Sequence, residues 1–382
     1  MNPTLRKILS IARRGIALTA NILLAAVTIF SAYGGMINPM RTTIGSLAAM
    51  LFPALLALTI VVFIFNIIWF RRNAIVNALS LLICLSPALS ICPLHFFRPS
   101  AESIAESGVP TLRVLTFNTL NFYTYGDGET GSLISPAGNP TFEYILQQDA
   151  DIVLLQEADD IHHAEVYGVT TRQHSRLLEN YPYNQVTPRG MAILSKYPFR
   201  RVPVSNSDIN QLDLCRYDVA VPGLADSLHL FNLHMQSLGL TSADKEIYRH
   251  ITRGETSDGM TAIRHSLISK VSAAFRSRAV QAEDVRRAID EVIGPVIVAG
   301  DFNDIPECYA ARLIRGNDLT DAYRAAGLGP CITYHADRFY FRIDHILFRG
   351  PFRALRTVRG DCPTSDHYPL LATFEILPQS DN

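Results

Sequence analysis

Three long stretches without a charged side chain constrain this chain more than any other feature. Arg14 and Arg41 are separated by 26 uncharged residues, Arg41 and Arg71 by 29, and Arg72 and Arg98 by 25. A helix needs about 20 apolar residues to cross the hydrocarbon of a bilayer, so each window is long enough. The second, with "LAAMLFPALLALTIVVFIFNIIWF", is the strongest; the third carries Pro87, Pro93 and His95 and is the weakest. A cleaved leader would account for the first window alone, but its apolar run is too long and two more windows follow. Three buried helices of a soluble core would tolerate some charge, and none is present. The expectation is a bundle of three transmembrane helices at about 15–35, 46–70 and 76–97, together residues 1–97.

Charge divides the chain at the same place. Residues 1–100 hold eight Lys or Arg and no Asp or Glu, which leaves 26 basic against 35 acidic side chains in the remainder, a net of −9. Four basic residues precede the first span, Arg41 alone separates the first from the second, and Arg71 and Arg72 separate the second from the third. Basic loops stay in the cytoplasm. The expected topology is therefore a cytoplasmic N-terminus, an integral inner-membrane anchor and a rear domain on the periplasmic or extracytoplasmic side. If the third segment fails to cross, the rear domain is cytoplasmic.

"RPSAESIAESGVP", residues 98–110, is polar with two prolines and reads as a linker. Beyond it, β-branched and aromatic runs of strand length recur, each ending in polar residues: "TLRVLTFNTLNF", "ADIVLLQEAD", "GMAILSKYP", "LHLFNLHMQ", "VIVAGDFND", "FYFRIDHILF" and "TSDHYPLLATFEI". "DKEIYRHI" and the long segment 261–294 carry helical periodicity, the latter stopping at Gly294-Pro295. Strands interleaved with helices imply an α/β domain, residues 111–378, with both sheet faces covered.

The chemistry gathers at the strand ends. Asn118, Glu157, His234, Asp301, Asn303, Asp344, Asp366 and His367 each sit at or near one. Carboxylate and amide oxygens are hard ligands suited to Mg²⁺ or Mn²⁺, and the absence of clustered Cys or an HExxH argues against a structural or protease-like zinc site. Hard cation, base and donors together are what phosphoryl chemistry requires. Each residue alone has a plainer reading: Glu157 as a solvated edge residue, His234 as a hydrogen-bonded structural histidine, "SDH" as a turn, Asp344 as an ion-pair partner of Arg342, and the acids of "GDFND" as turn caps.

Their order decides between these readings. The "FN" of 117–118, "QE" of 156–157, "GDFN" of 300–303 and "SDH" of 365–367 resemble the signature of the endonuclease/exonuclease/phosphatase superfamily over roughly residues 110–377. The resemblance implies a four-layer α/β sandwich of two packed, mostly antiparallel sheets with the site at one rim. It also implies roles: Glu157 as principal metal ligand with Asn118 beside it and Asp366 holding the metal or its water; Asp301 activating water; Asn303 binding a phosphate oxygen; His367 donating to the phosphoryl group; Asp344 bonding that histidine; His234 stabilising the leaving oxygen. His345 departs from the family pattern, where an aromatic residue is commoner, and bears on local packing.

The implied activity is metal-dependent hydrolysis of a phosphoester. A net of −9 does not resemble the basic footprint of nucleic-acid enzymes, and the arginines at 276, 278, 286 and 287 lie among acids as a solvated helix face would. A lipid headgroup or small phosphoester is favoured over nucleic acid. A membrane-anchored nuclease and an inactive scaffold homologue are the alternatives, the latter disfavoured because the metal and histidine positions are filled. No protein partner is inferable. Four cysteines beyond residue 100 allow two disulfides, with buried free thiols the preferred reading.

Overall fold

The structure is a computed structural model that describes residues 3–126, 129–131, 138–158, 168–204, 212–239, 244, 260–336, 340–362 and 364–378. The expected helix at "DKEIYRHI" lies, Asp244 apart, outside the described residues. The chain divides into two compact units, Met1–Ile91 with Glu307–Tyr309, and Cys92–Pro306 with Ala310–Asn382.

The first unit contains helices Pro3–Tyr33, Ile44–Trp69, Arg71–Ile83 and Leu85–Ile91. Its polarity is inverted relative to a soluble bundle. Along Ile44–Trp69 the buried stripe is Gly45, Ser46, Ala49, Phe52, Leu56, Thr59 and Asn66, while Leu51, Leu58, Val61, Ile64 and Ile68 face outward. Small and polar residues inside with large apolar residues outside is how helices associate in lipid. Polar side chains bridge the helices: Thr28 and Thr59 hydroxyls lie 2.8 Å apart, and Asn66 Nδ2 donates to Asn21 Oδ1 and Asn77 Oδ1 at 2.7 and 2.8 Å.

Two segments, Ile11–Met36 and Ile44–Trp69, are unbroken and long and apolar enough to span a bilayer. The third expected span differs from a straight helix over 76–97. Arg71–Ile83 and Leu85–Ile91 meet at a 65° bend. Pro87 has no N–H and crowds the carbonyl four residues back, that of Ile83. That carbonyl accepts instead from the Tyr33 hydroxyl at 2.6 Å. The expected linker is also partly ordered: Ala101–Ser107 is a helix capped by the Ser100 side chain, and the second unit begins at Cys92.

The strands are β1 Thr111–Asn118, β2 Thr124–Gly126, β3 Glu129–Gly131, β4 Ile152–Gln156, β5 Tyr183–Val186, β6 Ala192–Ser195, β7 Phe199–Val202, β8 Asp213–Val219, β9 Leu228–His234, β10 Val296–Asp301, β11 Thr320–Asp321, β12 Asp344–Arg349, β13 Phe352–Arg359 and β14 Leu370–Ile376. Apart from the β2–β3 hairpin they form two six-stranded sheets, ordered β13-β14-β1-β4-β6-β5 and β11-β12-β10-β9-β8-β7. Each sheet is antiparallel except for one central parallel pair, β1 with β4 and β9 with β10.

Alternation along the central strands builds four layers. In β10, Ile297 and Ala299 join a core with Leu112, Val114, Leu154, Leu230, Ile346 and Phe374 from both sheets. Val296 and Val298 instead pack with Ala282, Val285 and Ile289 of helix Met260–Asp290. Across the other sheet, Leu115, Phe117, Val153 and Leu155 pack with Phe142, Ile145 and Leu146 of helix Pro140–Gln148 and Leu177 of helix Thr171–Asn180. Strands buried on both faces read as continuous apolar runs, and every residue of β4 and β10 is buried. The two faces of each sheet, one against the other sheet and one under helices, are thus the expected α/β sandwich. Described cysteines 215, 308, 331 and 362 are buried and free.

Candidate active site

Parallel central pairs bring the carboxyl ends of β1, β4, β9 and β10 to one rim, and the antiparallel neighbours β12 and β14 begin there. Register makes this concrete: Asn118 pairs with Gln156, and Asp301 with His234 on one side and Asp344 on the other. A buried amide tie holds the sheets together behind the rim. Gln156 Nε2 donates to Asn232 Oδ1 at 2.7 Å, and Asn232 Nδ2 donates to the carbonyls of Leu155 and Ala192.

Local backbone then aims the side chains. Glu157 and Asn303 are non-glycine residues at positive φ, 46° and 51°, a conformation that costs energy and collects at functional sites. The Glu157 carbonyl accepts from the Thr119 hydroxyl at 2.7 Å and the Asn121 amide at 2.6 Å. Asn303 is held by its amide to Asp301 Oδ1 at 2.8 Å and by Nδ2 to the Met235 carbonyl at 2.9 Å. Gly300, at φ 146°, passes so close to the Leu233 carbonyl that a Cβ would overlap it.

Seven of the eight expected residues form one linked group. Asn118 Nδ2 lies 3.0 Å from Glu157 Oε1 and 3.2 Å from Asp301 Oδ2. His234 Nε2 is 3.7 Å from the same two oxygens. His367 Nε2 is 3.6 Å from Asp301 Oδ2, while its Nδ1 is 2.9 Å from Asp344 Oδ2. Asn303 Nδ2 completes the surround of Asp301 Oδ2 at 3.2 Å. Asp366, the eighth, joins through Ser365, whose hydroxyl lies 3.3 Å from Asp366 Oδ1 and donates to the Asn118 carbonyl at 2.8 Å. Ser365 Oγ also accepts the His367 amide at 3.1 Å, so the "SDH" turn also fixes the backbone that carries Asp366 and His367.

Sequence reasoning missed the supports: Gln156 as a tie, Asn232, Ser365, and Thr333, whose hydroxyl accepts the amides of Ile343 and Asp344 at 3.0 and 3.1 Å. The Tyr334 ring stands edge-on to His367 at 5.0 Å. Only in "NLH" and "SDH" did a neighbouring signal point toward two of them.

Other readings are corrected. Arg342 does not pair with Asp344; it grips Asp321 at 2.6 and 3.2 Å, both side chains buried. His345 fills its unusual position as a buried strut, with Nε2 2.8 Å from the Asp304 carbonyl, Nδ1 3.1 Å from Arg342 and Phe302 edge-on at 4.8 Å. Burial, with Arg342 beside it, pushes its pKa down to about 4. Arg278 is not on a solvated face: it is 1% exposed, donates to the Gln236 carbonyl at 2.9 Å and lies 3.7 Å from Asp304.

The site is rich in acid, with Glu157, Asp301 and Asp344 in one linked group. Burial pushes Asp301 up to about 6, opposed by His367 and reinforced by Asp344. Burial would lower His367, but Asp344 and then Asp301 hold it well above the ordinary histidine value. Among the described residues, no lysine or arginine pairs with Glu157, Asp301 or Asp344.

Two groupings of ligand atoms are open to a metal. Asp301, Asp344 and His367 offer atoms within 4.8 Å of one another. An imidazolium has no free lone pair, and His367 is held protonated by Asp344, so this trio is poorly suited. Glu157 and Asn118, beside Asp301, fit better. Glu157 is one-third exposed, Asp301 and Asn118 are buried, and a carboxamide can turn either oxygen or nitrogen inward. Their oxygens are the hard donors that Mg²⁺ or Mn²⁺ prefers.

Comparison with known proteins follows the same lines. The sequence model of the Endonuclease/Exonuclease/phosphatase family matches residues 115–367. A second, described as Domain of unknown function (DUF8431), matches residues 13–91. No curated protein sequence matches. Among solved structures, truncated Caenorhabditis elegans TDP2 is similar at 19% identity and TM-score 0.42, covering 69% of this chain and 98% of its own. An endonuclease/exonuclease/phosphatase from Beutenbergia cavernae is similar at 19% and 0.44, covering 70% and 72%. Another from Bacteroides vulgatus is similar at 18% and 0.42, covering 70% and 99%.

Proposed function

Since the chain belongs to the endonuclease/exonuclease/phosphatase family, we propose that it is a membrane-anchored hydrolase of phosphoester bonds that uses a divalent cation, Mg²⁺ or Mn²⁺. The observation that carries this reading is the meeting of Asn118, Glu157, His234, Asp301, Asn303, Asp344 and His367 within hydrogen-bonding or ion-pair reach on one rim.

Glu157 and Asn118 would hold the cation, with Asp366 steadying it or its water, and the cation would neutralise charge on the phosphoryl oxygens. Asp301, made more basic by burial, orients the attacking water and accepts its proton. Asp344 keeps His367 protonated and fixes its ring, so that Nε2 donates to the phosphoryl oxygen as charge builds there. Asn303, pinned by Met235 and Asp301, supplies a second contact to that group. His234, with Nε2 3.7 Å from Asp301 Oδ2, donates to the leaving oxygen.

The substrate reading favours a lipid headgroup or small phosphoester. Of the four helix arginines considered for nucleic-acid contact, Arg276 is exposed, Arg278 is buried, Arg286 pairs with Asp290 and Asp318, and Arg287 pairs with Asp284. The apolar helices anchor the chain in a membrane, and their basic flanks put the N-terminus in the cytoplasm with the hydrolase domain outside. The test is hydrolysis of a chromogenic phosphodiester by the full chain with Mg²⁺ or Mn²⁺, then with phospholipid vesicles, mononucleotides and single-stranded DNA offered separately. Loss of activity in EDTA and its return with Mg²⁺ is the expected result. No hydrolysis of any of these under any metal would favour the scaffold alternative, and preference for DNA the nuclease.

A further inference from the structure

Beside the helix Ala322–Ala326 and the start of β13 lies a cavity of about 430 Å³, lined by Leu94, Phe96, Phe97, Arg98 and Arg353 among others. It belongs to the second unit and plays no part in the proposed chemistry. Its rim is unusually apolar for a surface: Phe97 is 100% exposed, Phe96 68% and Leu94 55%. Adjacent large apolar side chains standing in solvent mark an interaction site.

These side chains are not exposed because the segment is loose. The Pro93 carbonyl accepts from Gly329 at 2.7 Å, and Leu94 bridges Leu328. His95 Nε2 lies 2.9 Å from the Arg324 carbonyl, Arg98 donates to the Thr357 carbonyl at 3.0 Å, and Arg356 donates to the Pro99 carbonyl at 3.2 Å. The backbone on both sides of the phenylalanines is thus tied down, and the rings are held outward.

Charge around them is positive. Arg98 and Arg353 line the cavity and Arg356 reaches the Pro99 carbonyl beside it, opposed by Glu102 and by Glu375, which pairs with Arg353. Arg98 and Arg356 repel one another, an effect that adds to burial in lowering the Arg98 pKa. An anion would relieve that repulsion. The position in the chain says which anion: Phe96 follows Ile91, the last residue of the apolar helices, by five residues. Aromatic rings and arginines just beyond a membrane segment settle at the headgroup level, and each arginine there gains from anionic lipid.

We propose that Leu94–Pro99, with Arg353 and Arg356, is a bilayer-docking surface, on which Phe96 and Phe97 enter the headgroup–acyl boundary and the arginines meet anionic phospholipid headgroups.

The test uses the full chain in lipid nanodiscs. Trp69 is the sole tryptophan, so Phe97→Trp in a Trp69→Phe background, or Phe96→Trp where that variant misfolds, gives a single reporter. Its emission should be blue-shifted and quenched by lipids brominated on the acyl chain, more strongly in phosphatidylglycerol than in phosphatidylcholine. Adding Arg98→Gln and Arg353→Gln should shift the docking equilibrium about fivefold per arginine in the anionic discs and leave the zwitterionic ones unchanged. Solvent-like emission without quenching would overturn the proposal. So would a blue shift without quenching, which indicates a protein cover, or quenching indifferent to both lipid charge and the arginines.

Discussion

Replacing Asp344 by Asn tests the site where geometry and electrostatics meet most closely. The carboxylate and the His367 ring are 2.9 Å apart and both buried. With each charge spread over its group the centres lie farther apart than the bonded atoms, and two unit charges about 4 Å apart attract by about 4 kcal/mol when the effective dielectric constant is near 20. The amide oxygen of Asn keeps the hydrogen bond and loses the charge, so about 3–4 kcal/mol of transition-state stabilisation should go, a fall of roughly 10²–10³ in kcat/KM. Stability should respond differently. Asp344 Oδ1 is buried with no hydrogen-bond partner among the described residues, so removing the charge also removes a desolvation cost, and the unfolding midpoint should move by no more than about 4 °C. The pH profile carries the sign. Because His367 titrates above the ordinary value, its imidazolium is present at neutral pH and is lost as pH rises through that value. In Asp344→Asn the alkaline limb of kcat/KM should therefore move to lower pH, and the acid limb, set by Asp301, loses the Asp344 charge that helps raise that carboxylate and should not move up. Phosphodiester hydrolysis across pH, with thermal melts alongside, reads both. A rate within about threefold of the parent, under 1 kcal/mol, with an unmoved alkaline limb would refute the pairing as a catalytic device.

The other expectations are briefer. Glu157→Gln preserves shape and removes the principal cation ligand, so activity should fall by at least about 10²-fold and Mg²⁺ affinity, read by calorimetry, should fall with it; unaltered Mg²⁺ binding would move the cation elsewhere. Arg342→Ala leaves Asp321 buried and unpaired, at a cost of about 3–5 kcal/mol, and should lower the melting midpoint by roughly 10 °C; Arg342→Leu with Asp321→Leu should recover much of that loss, and an undamaged single variant would show the pair to be dispensable. Alkaline phosphatase fused after residue 105 should be active and one fused near Asn73 silent; the reverse pattern at 105 would mean that the bent pair Arg71–Ile91 enters the bilayer and returns to the same side.

Much of this protein is determined by local sequence. The apolar windows are a matter of length and absence of charge, which no folding partner alters. Strands β1, β4, β9, β10, β12 and β14 are legible because burial on both faces demands unbroken apolar runs, and the residues at their tips are legible because their polarity conflicts with that demand. Strands β5, β7 and β13 escaped notice for the converse reason: "YNQV", "FRRV" and "FRALRTVR" are partly exposed and carry no such signature. The partnership of the tips was decided only by tertiary structure. Asp344 could equally have neutralised Arg342 two residues earlier in the chain; the fold gave Arg342 to Asp321 and Asp344 to His367. Arg278 looks solvated within its own helix and is buried because the packing of that helix leaves its guanidinium beside Asp304. The third apolar segment has the composition of a straight span, and its bend shows only where Tyr33 takes up the carbonyl that Pro87 frees. Composition and spacing act over one turn or one strand, and so can be read along the chain. Which charge meets which depends on contacts between residues tens to hundreds of positions apart, such as Asn118 with Asp301 across 183, and these exist only once both sheets have closed on one another.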